Sequence, residues 1–157
     1  MNIENGRNNR KGDSFSIFEL SGKLFGLEII HSREVIPLPR FTPLPNSDNI
    51  YYGVFNLRGE IFPLVDISSI LGLPRKQIQS DDMVILMEYE KDFCIGLLVD
   101  KIHRILHTID TDLKSPRGLV SRTMENYLRG VIINGQNLIR ILDLDRLFRT
   151  KQILAHY

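Results

Sequence analysis

The chain has 157 residues, 43% of them hydrophobic and 25% charged, with a formal net charge of +1. That length suits one ordinary domain, or two very small lobes sharing one core. The near-neutral balance argues against a large electrostatic field and so against a nucleic-acid partner, and a single cysteine, Cys94, excludes an intrachain disulfide.

The opening stretch "MNIENGRNNRKGDS" is polar and lacks an apolar signal segment. It reads as a flexible arm over residues 1–14. No run approaches the ~18 apolar residues of a membrane span, so a soluble cytosolic protein without direct membrane insertion is expected. "FSIFELSGKLFGLEI" follows, and its Ser21-Gly22 turn between two half-alternating runs predicts a β-hairpin. "HSREVIPLPRFTPLPN" carries Pro37, Pro39, Pro43 and Pro45, which predict a short edge strand and an irregular crossing. Gly53 to Val65 reads as a second hairpin turning at Arg58-Gly59-Glu60. Asp66 is placed to cap a short helix over "ISSILG", with Gly72 ending it.

Pro74 to Asp82 is polar and reads as a linker between lobes at about 15–75 and 82–148. Strands are predicted at Val84 to Met87 and Phe93 to Val99, with the turn near Glu90 to Asp92. The neighbours of "DKIHRIL" favour an extended edge over a helix. "DTDLKSPRGLVSRTMENYL" reads as loop, Asn134-Gly135 signals another hairpin, and a short helix starts at Asp143 or Asp145, with Asp143 as its cap. The C-terminal segment is expected to pack back on the lobes.

The two halves resemble each other. "GVFNLRGEIFPLVDISSIL" lies over "GVIINGQNLIRILDLDRLF" without a gap, so that Gly53 falls on Gly130 and Asp66 on Asp143. Two copies of a small β unit fit the length, and packing them together supplies a core that neither would have alone.

Catalytic and metal chemistry find little support. His103 and His107 have a spacing that could present two ligands on a helix, but the segment reads as strand and there is no HExxH. Phosphate-binding glycine loops are absent, and no nucleophile, base and orienting group can be named together. Phe15, Phe18, Phe25 and Phe62 fall in apolar runs and read as core, while Tyr51, Tyr52, Tyr89 and Tyr127 suit rims or interfaces. Neither an enzymatic activity, a cofactor nor a metal is expected. Arg58 is the informative residue. Its fork of five donors suits an interface anchor, and the second copy has Gly135 there instead, which fits one asymmetric docking site better than a fold requirement.

The motif "GVFNLRGEIFPLVD", with Gly53, Val54, Asn56, Leu57, Arg58, Gly59, Pro63 and Asp66 in place, resembles that of the CheW-like chemotaxis coupling family. The resemblance runs from about Phe15 to Phe148. It implies an all-β fold of two SH3-like, five-stranded barrel lobes on a shared hydrophobic core, with short helices. It also implies a non-catalytic adaptor between the cytoplasmic tips of methyl-accepting chemoreceptors and the regulatory domain of a CheA-type histidine autokinase, meeting other CheW-like domains in membrane-associated arrays. Arg58, Glu34 and Val35, with Asn56, Leu57 and Gly59 in the same motif, are the implied protein-interaction residues. The alternative reading is a peptide or small-molecule sensor on the same scaffold, which requires a concave pocket with converging polar groups.

Overall fold

The computed structural model describes residues 14–45, 50–90, 93–107 and 112–150. The expected arm therefore lies outside the described residues except for Ser14, which already opens the first strand; residues 151–157 of the C-terminal segment also lie outside them. Strand β1 (Ser14–Leu20) and β2 (Lys23–Glu28) form the first hairpin. Ser21 and Gly22 both take positive φ, 55° and 73°, the geometry that follows the twist of the paired strands. After one 3₁₀ turn (Ile29–His31) come β3 (Ser32–Pro37) and the two-residue β4 (Thr42–Pro43). The second hairpin is β5 (Tyr51–Leu57) and β6 (Glu60–Val65). The third is β7 (Met83–Glu88) and β8 (Cys94–Val99), followed by β9 (Lys101–His107). The last is β10 (Leu128–Asn134) and β11 (Asn137–Leu142).

Two short α-helices follow among the described residues. The segment expected as loop contains one helical turn, α1 (Arg122–Glu125), capped by the Ser121 side chain and anchored by buried Met124. The other, α2 (Leu144–Phe148), starts where predicted: the Asp143 carboxylate accepts from the Arg146 N–H at 3.0 Å.

The strands make one five-stranded sheet in the order β10-β11-β2-β1-β9 and one six-stranded sheet in the order β3-β7-β8-β6-β5-β4. Each has its own apolar filling. Phe15, Ile17, Ile132, Ile139 and Ile141 cluster in the first; Phe55, Phe62, Leu64, Val84, Leu86 and Leu98 cluster in the second. A larger cluster, including Phe18, Phe25, Ile67, Ile85, Leu97, Leu142 and Phe148, draws on both sheets and forms the shared core. Tyr51, placed by its chemistry at a rim, is instead part of that core.

The duplication extends to hydrogen-bond register. Gly53, Phe55 and Leu57 pair with Leu64, Phe62 and Glu60; Gly130, Ile132 and Asn134 pair with Ile141, Ile139 and Asn137. Both hairpins carry an irregularity just before the glycine. The parallel contacts match as well, Leu64 with Gly96 and Ile141 with Gly26. The glycines are required by these close approaches. A Cβ on Gly53 would stand 2.2 Å from the Thr42 carbonyl oxygen, and one on Gly130 would stand 2.6 Å from that of Lys114.

The sheets nevertheless cut across the lobes expected at 15–75 and 82–148. Hairpin β1–β2 leaves the first half and joins β9–β11, while hairpin β7–β8 leaves the second half and joins β3–β6. Each sheet is thus completed by a hairpin from the opposite half. A hairpin's local sequence prescribes its turn but not which neighbour covers its edges, so this exchange is decided by long-range packing.

Candidate docking site

The β5–β6 turn is built from two residues with positive φ, Arg58 at 51° and Gly59 at 87°. Glycine takes this conformation at no steric cost, whereas arginine does not. Asn56 organises the turn: its Oδ1 accepts from the Gly59 N–H at 3.1 Å. Leu57 is half-buried and packs on the core of the six-stranded sheet. In the equivalent β10–β11 turn the central pair is Gly135 and Gln136, and Gly135 supplies a positive φ of 64°.

Arg58 is not a free turn residue. Its side chain is 66% exposed, yet its Nη2 donates to Glu34 Oε1 on β3, the edge strand of the same sheet. A second pair runs beside it, Arg33 Nη2 to Glu60 Oε1 at 3.4 Å. Adjacent residues of opposite charge on β3 therefore meet opposite charges on either side of Gly59. The Arg33 guanidinium also stands 6.0 Å from the centre of the Phe62 ring and 3.9 Å from Cys94 Sγ. Burial, with the charge of Glu88 adding to it, pushes the Cys94 thiol up from its ordinary value. The neighbours of these charged residues in the chain include two exposed apolar residues: Val35, 37% exposed, and Ile61, 62% exposed. Exposed ion pairs of this kind contribute only about 0–1 kcal/mol to stability. Their consequence is geometric, since they hold the turn against the strand and orient an otherwise rotamer-rich arginine.

The structure thus brings Arg58, Glu34, Asn56, Leu57 and Gly59 together around one barrel end, with Val35 next to Glu34 on the same strand. Arg33, Glu60 and Ile61 belong to this face and are not singled out by the sequence reading. The adjacent charges of Arg33 and Glu34 were the available signal, but their partners lie 27 and 24 residues away.

Asp66 departs from its expected role. No helix follows it: Ile67–Gly72 forms successive hydrogen-bonded turns. The buried carboxylate accepts from the Ser68 N–H and from the Lys76 N–H, both at 2.9 Å. It stops a strand and fastens the supposed linker. That linker is itself partly internal, because Lys76 places its ammonium, 5% exposed, between Asp82, at 2.9 Å, and Asp100. Burial alone would lower the Lys76 pKa, but the carboxylates of Asp100 and Asp82 outweigh it and raise it above the ordinary lysine value. Asp100 also accepts from the Ser21 N–H at 2.8 Å. One network therefore joins the 74–82 segment, the β8–β9 crossover and the β1–β2 turn.

His103 and His107 lie on a strand and face β1: His103 Nε2 is 3.5 Å from Glu19 Oε1, and His107 Nδ1 is 2.7 Å from Ser14 Oγ. Among the described residues no group of three or more His, Cys, Asp or Glu side chains could hold a metal ion, and no helix is long and apolar enough to cross a membrane.

Paired β-barrels with a charged, partly apolar face at one barrel end define a scaffold of the protein-interaction class. The family model described as "CheW-like domain" matches residues 14–152, and the chain belongs to that family, whose members are non-catalytic chemotaxis adaptors. It is 26% identical over 140 residues to "Chemotaxis protein CheW" of Treponema pallidum, covering 87% of this chain and 82% of that protein. It is 28% identical over 141 residues to "Chemotaxis protein CheW" of Rhizobium meliloti, covering 90% of each. Among solved structures it resembles the scaffolding protein TtCheW from Thermoanaerobacter tengcongensis, with a TM-score of 0.76 and 25% identity, over 90% of this chain and 95% of that one.

Proposed function

We propose that this adaptor couples the cytoplasmic tips of methyl-accepting chemoreceptors to the regulatory domain of a CheA-type histidine autokinase, working in the cytoplasm at membrane-associated receptor arrays. The observation that carries the reading is the Arg58–Glu34 bridge at an exposed turn, flanked by Val35 and Ile61. The apolar side chains supply contact area, and the charges supply register and orientation. Such a component transmits a signal only if a receptor state and a kinase state bind it unequally. Its contribution is to hold geometry, and no bond in a substrate is made or broken.

The test is a pull-down at physiological salt with the isolated kinase regulatory domain and, separately, a receptor tip fragment. Arg58→Glu places two carboxylates together at the bridge and is expected to weaken at least one association by tenfold or more, on the order of 1.4 kcal/mol, with the circular-dichroism spectrum unchanged. Wild-type binding by a folded Arg58→Glu protein in both assays would remove Arg58 from the docking face.

A further inference from the structure

A cleft of about 390 Å³ opens beside the parallel β2–β11 pair and shares no lining residue with the docking motif. Its lining includes the apolar residues Leu73, Leu119, Val120 and Met124 and the cations Lys23 and Arg140. Leu119 is 48% exposed. Among the described residues no carboxylate lines the cleft, and neither cation forms an ion pair.

Arg140 is half-buried and poorly served. Its Nη1 donates to the carbonyls of Leu138, at 3.1 Å, and Leu24, at 3.4 Å, while its buried Nε has no acceptor. Burial lowers its pKa from the ordinary arginine value. Stacking on Phe25, whose ring centre is 5.8 Å from the guanidinium carbon, accounts for the packing of the side chain but not for its charge.

The fold does not demand cations here. The internal duplication places Pro63 in register with Arg140, since Val54 pairs with Pro63 as Val131 pairs with Arg140. By the matching contacts of Gly26 and Gly96, Phe93 stands where Lys23 does. Both positive charges thus belong to one barrel only, at the mouth of one cleft.

We propose that this cleft binds a small organic anion, its carboxylate or phosphate group held between Lys23 and Arg140 and its apolar body lying on Leu73, Leu119, Val120 and Met124. The volume is in the range of small-molecule sites, and an apolar wall with a few convergent polar groups is their usual make-up. An anion there neutralises two charges that the protein leaves uncompensated, in surroundings where such compensation is worth more than in water. This site is separate from the docking face and does not depend on the coupling function proposed above.

The test is a titration of the ¹⁵N-labelled full chain, followed by amide chemical shifts. The probes are benzoate and phenyl phosphate, with neutral benzamide and inorganic phosphate as controls. Benzoate, phenyl phosphate or both are expected to shift the amides of Lys23, Leu73, Leu119, Val120 and Arg140 saturably, and the arm that binds tighter identifies the anionic group. Benzamide and inorganic phosphate should bind at least about tenfold more weakly, the loss expected when a charge-assisted hydrogen bond or the apolar contact is removed. Lys23→Met and Arg140→Met should each weaken the anion by a similar factor. Should Arg140→Met fail to fold, Lys23→Met decides alone. Benzamide matching benzoate, undiminished anion binding by the folded variants, or no saturable shift with either organic anion would overturn the site.

Discussion

Arg58 holds a left-handed backbone at a position that glycine would fill without strain, a cost of roughly 1 kcal/mol or more. Its counterpart in the β10–β11 hairpin, Gly135, supplies a positive φ without that strain. The chain therefore keeps an unfavourable conformation in order to place a guanidinium against Glu34. Stability and docking should separate on substitution. Arg58→Gly is expected to unfold in urea within about 1 kcal/mol of the wild type, on the more stable side, because relief of strain is partly offset by glycine's greater freedom in the unfolded chain. The same variant should lose binding in the pull-down. A clear loss of stability would mean that the Arg58–Glu34 pair carries the fold rather than the contact. The arginine and its turn were legible in the sequence as a glycine-bearing break between two apolar runs, read at Arg58-Gly59-Glu60, although Glu60 is the first residue of β6. Glu34 entered through the family likeness as a docking residue, but its bridge to Arg58 comes only from the structure, since the pairing exists only once the sheet has curled.

The elements are where the duplication becomes physical. Four hairpins repeat two designs, and the tolerances of the second design are set by Gly53 and Gly130 against the Thr42 and Lys114 carbonyl oxygens. Gly53→Ala and Gly130→Ala should each lower the urea midpoint by the equivalent of about 1–3 kcal/mol, the usual cost of forcing an extra methyl into a packed site. Gly22→Ala is the internal control: its Cβ meets nothing, so it should cost only the roughly 1 kcal/mol of its positive φ. If the three variants were equivalent, close approach would not be what selects glycine on β5 and β10. Hairpin turns and strand spans could be read from alternation and turn residues. The one-turn helix at Arg122–Glu125 could not, because four residues carry too little periodicity to stand out from loop. Asp66 misled for a related reason: an aspartate after a strand can cap a helix or brace a turn, and its acceptor geometry depends on Lys76, 10 residues on.

At the scale of the molecule, two barrels that exchange hairpins are joined through a buried cation. Removing Lys76 by Lys76→Met would leave Asp82 and Asp100 without their shared partner, and a loss of about 3 kcal/mol is expected, as for other broken buried pairs. The pH dependence follows from the raised pKa of Lys76. Stability from this group is fully present below about pH 10.5, the ordinary lysine value, and is lost as pH rises through the higher folded-state value. Urea midpoints measured upward from pH 9 should therefore fall less steeply for Lys76→Met than for the wild type. A parallel decline in both would exclude Lys76 as the titrating group. The exchange predicts a further outcome: the half-chains 1–78 and 79–157 should each be largely unfolded alone by circular dichroism, yet regain β structure when mixed. Independent folding of either half would contradict the interdependence of the two sheets.

Local chemistry determined which stretches are strands, where most of them turn, that the phenylalanines of the apolar runs are buried and that one half echoes the other. These depend on neighbours a few residues apart, where side-chain alternation and backbone freedom act directly. Family likeness added the docking motif. Tertiary structure alone decided that each sheet takes in the first hairpin of the other half, that Glu34 reaches Arg58, and that a polar linker lysine is buried. The physical reason is degeneracy: two similar hairpins offer nearly identical edges, so local pattern cannot choose between partners. Long-range fit around the shared core, and the charge network at Lys76, can.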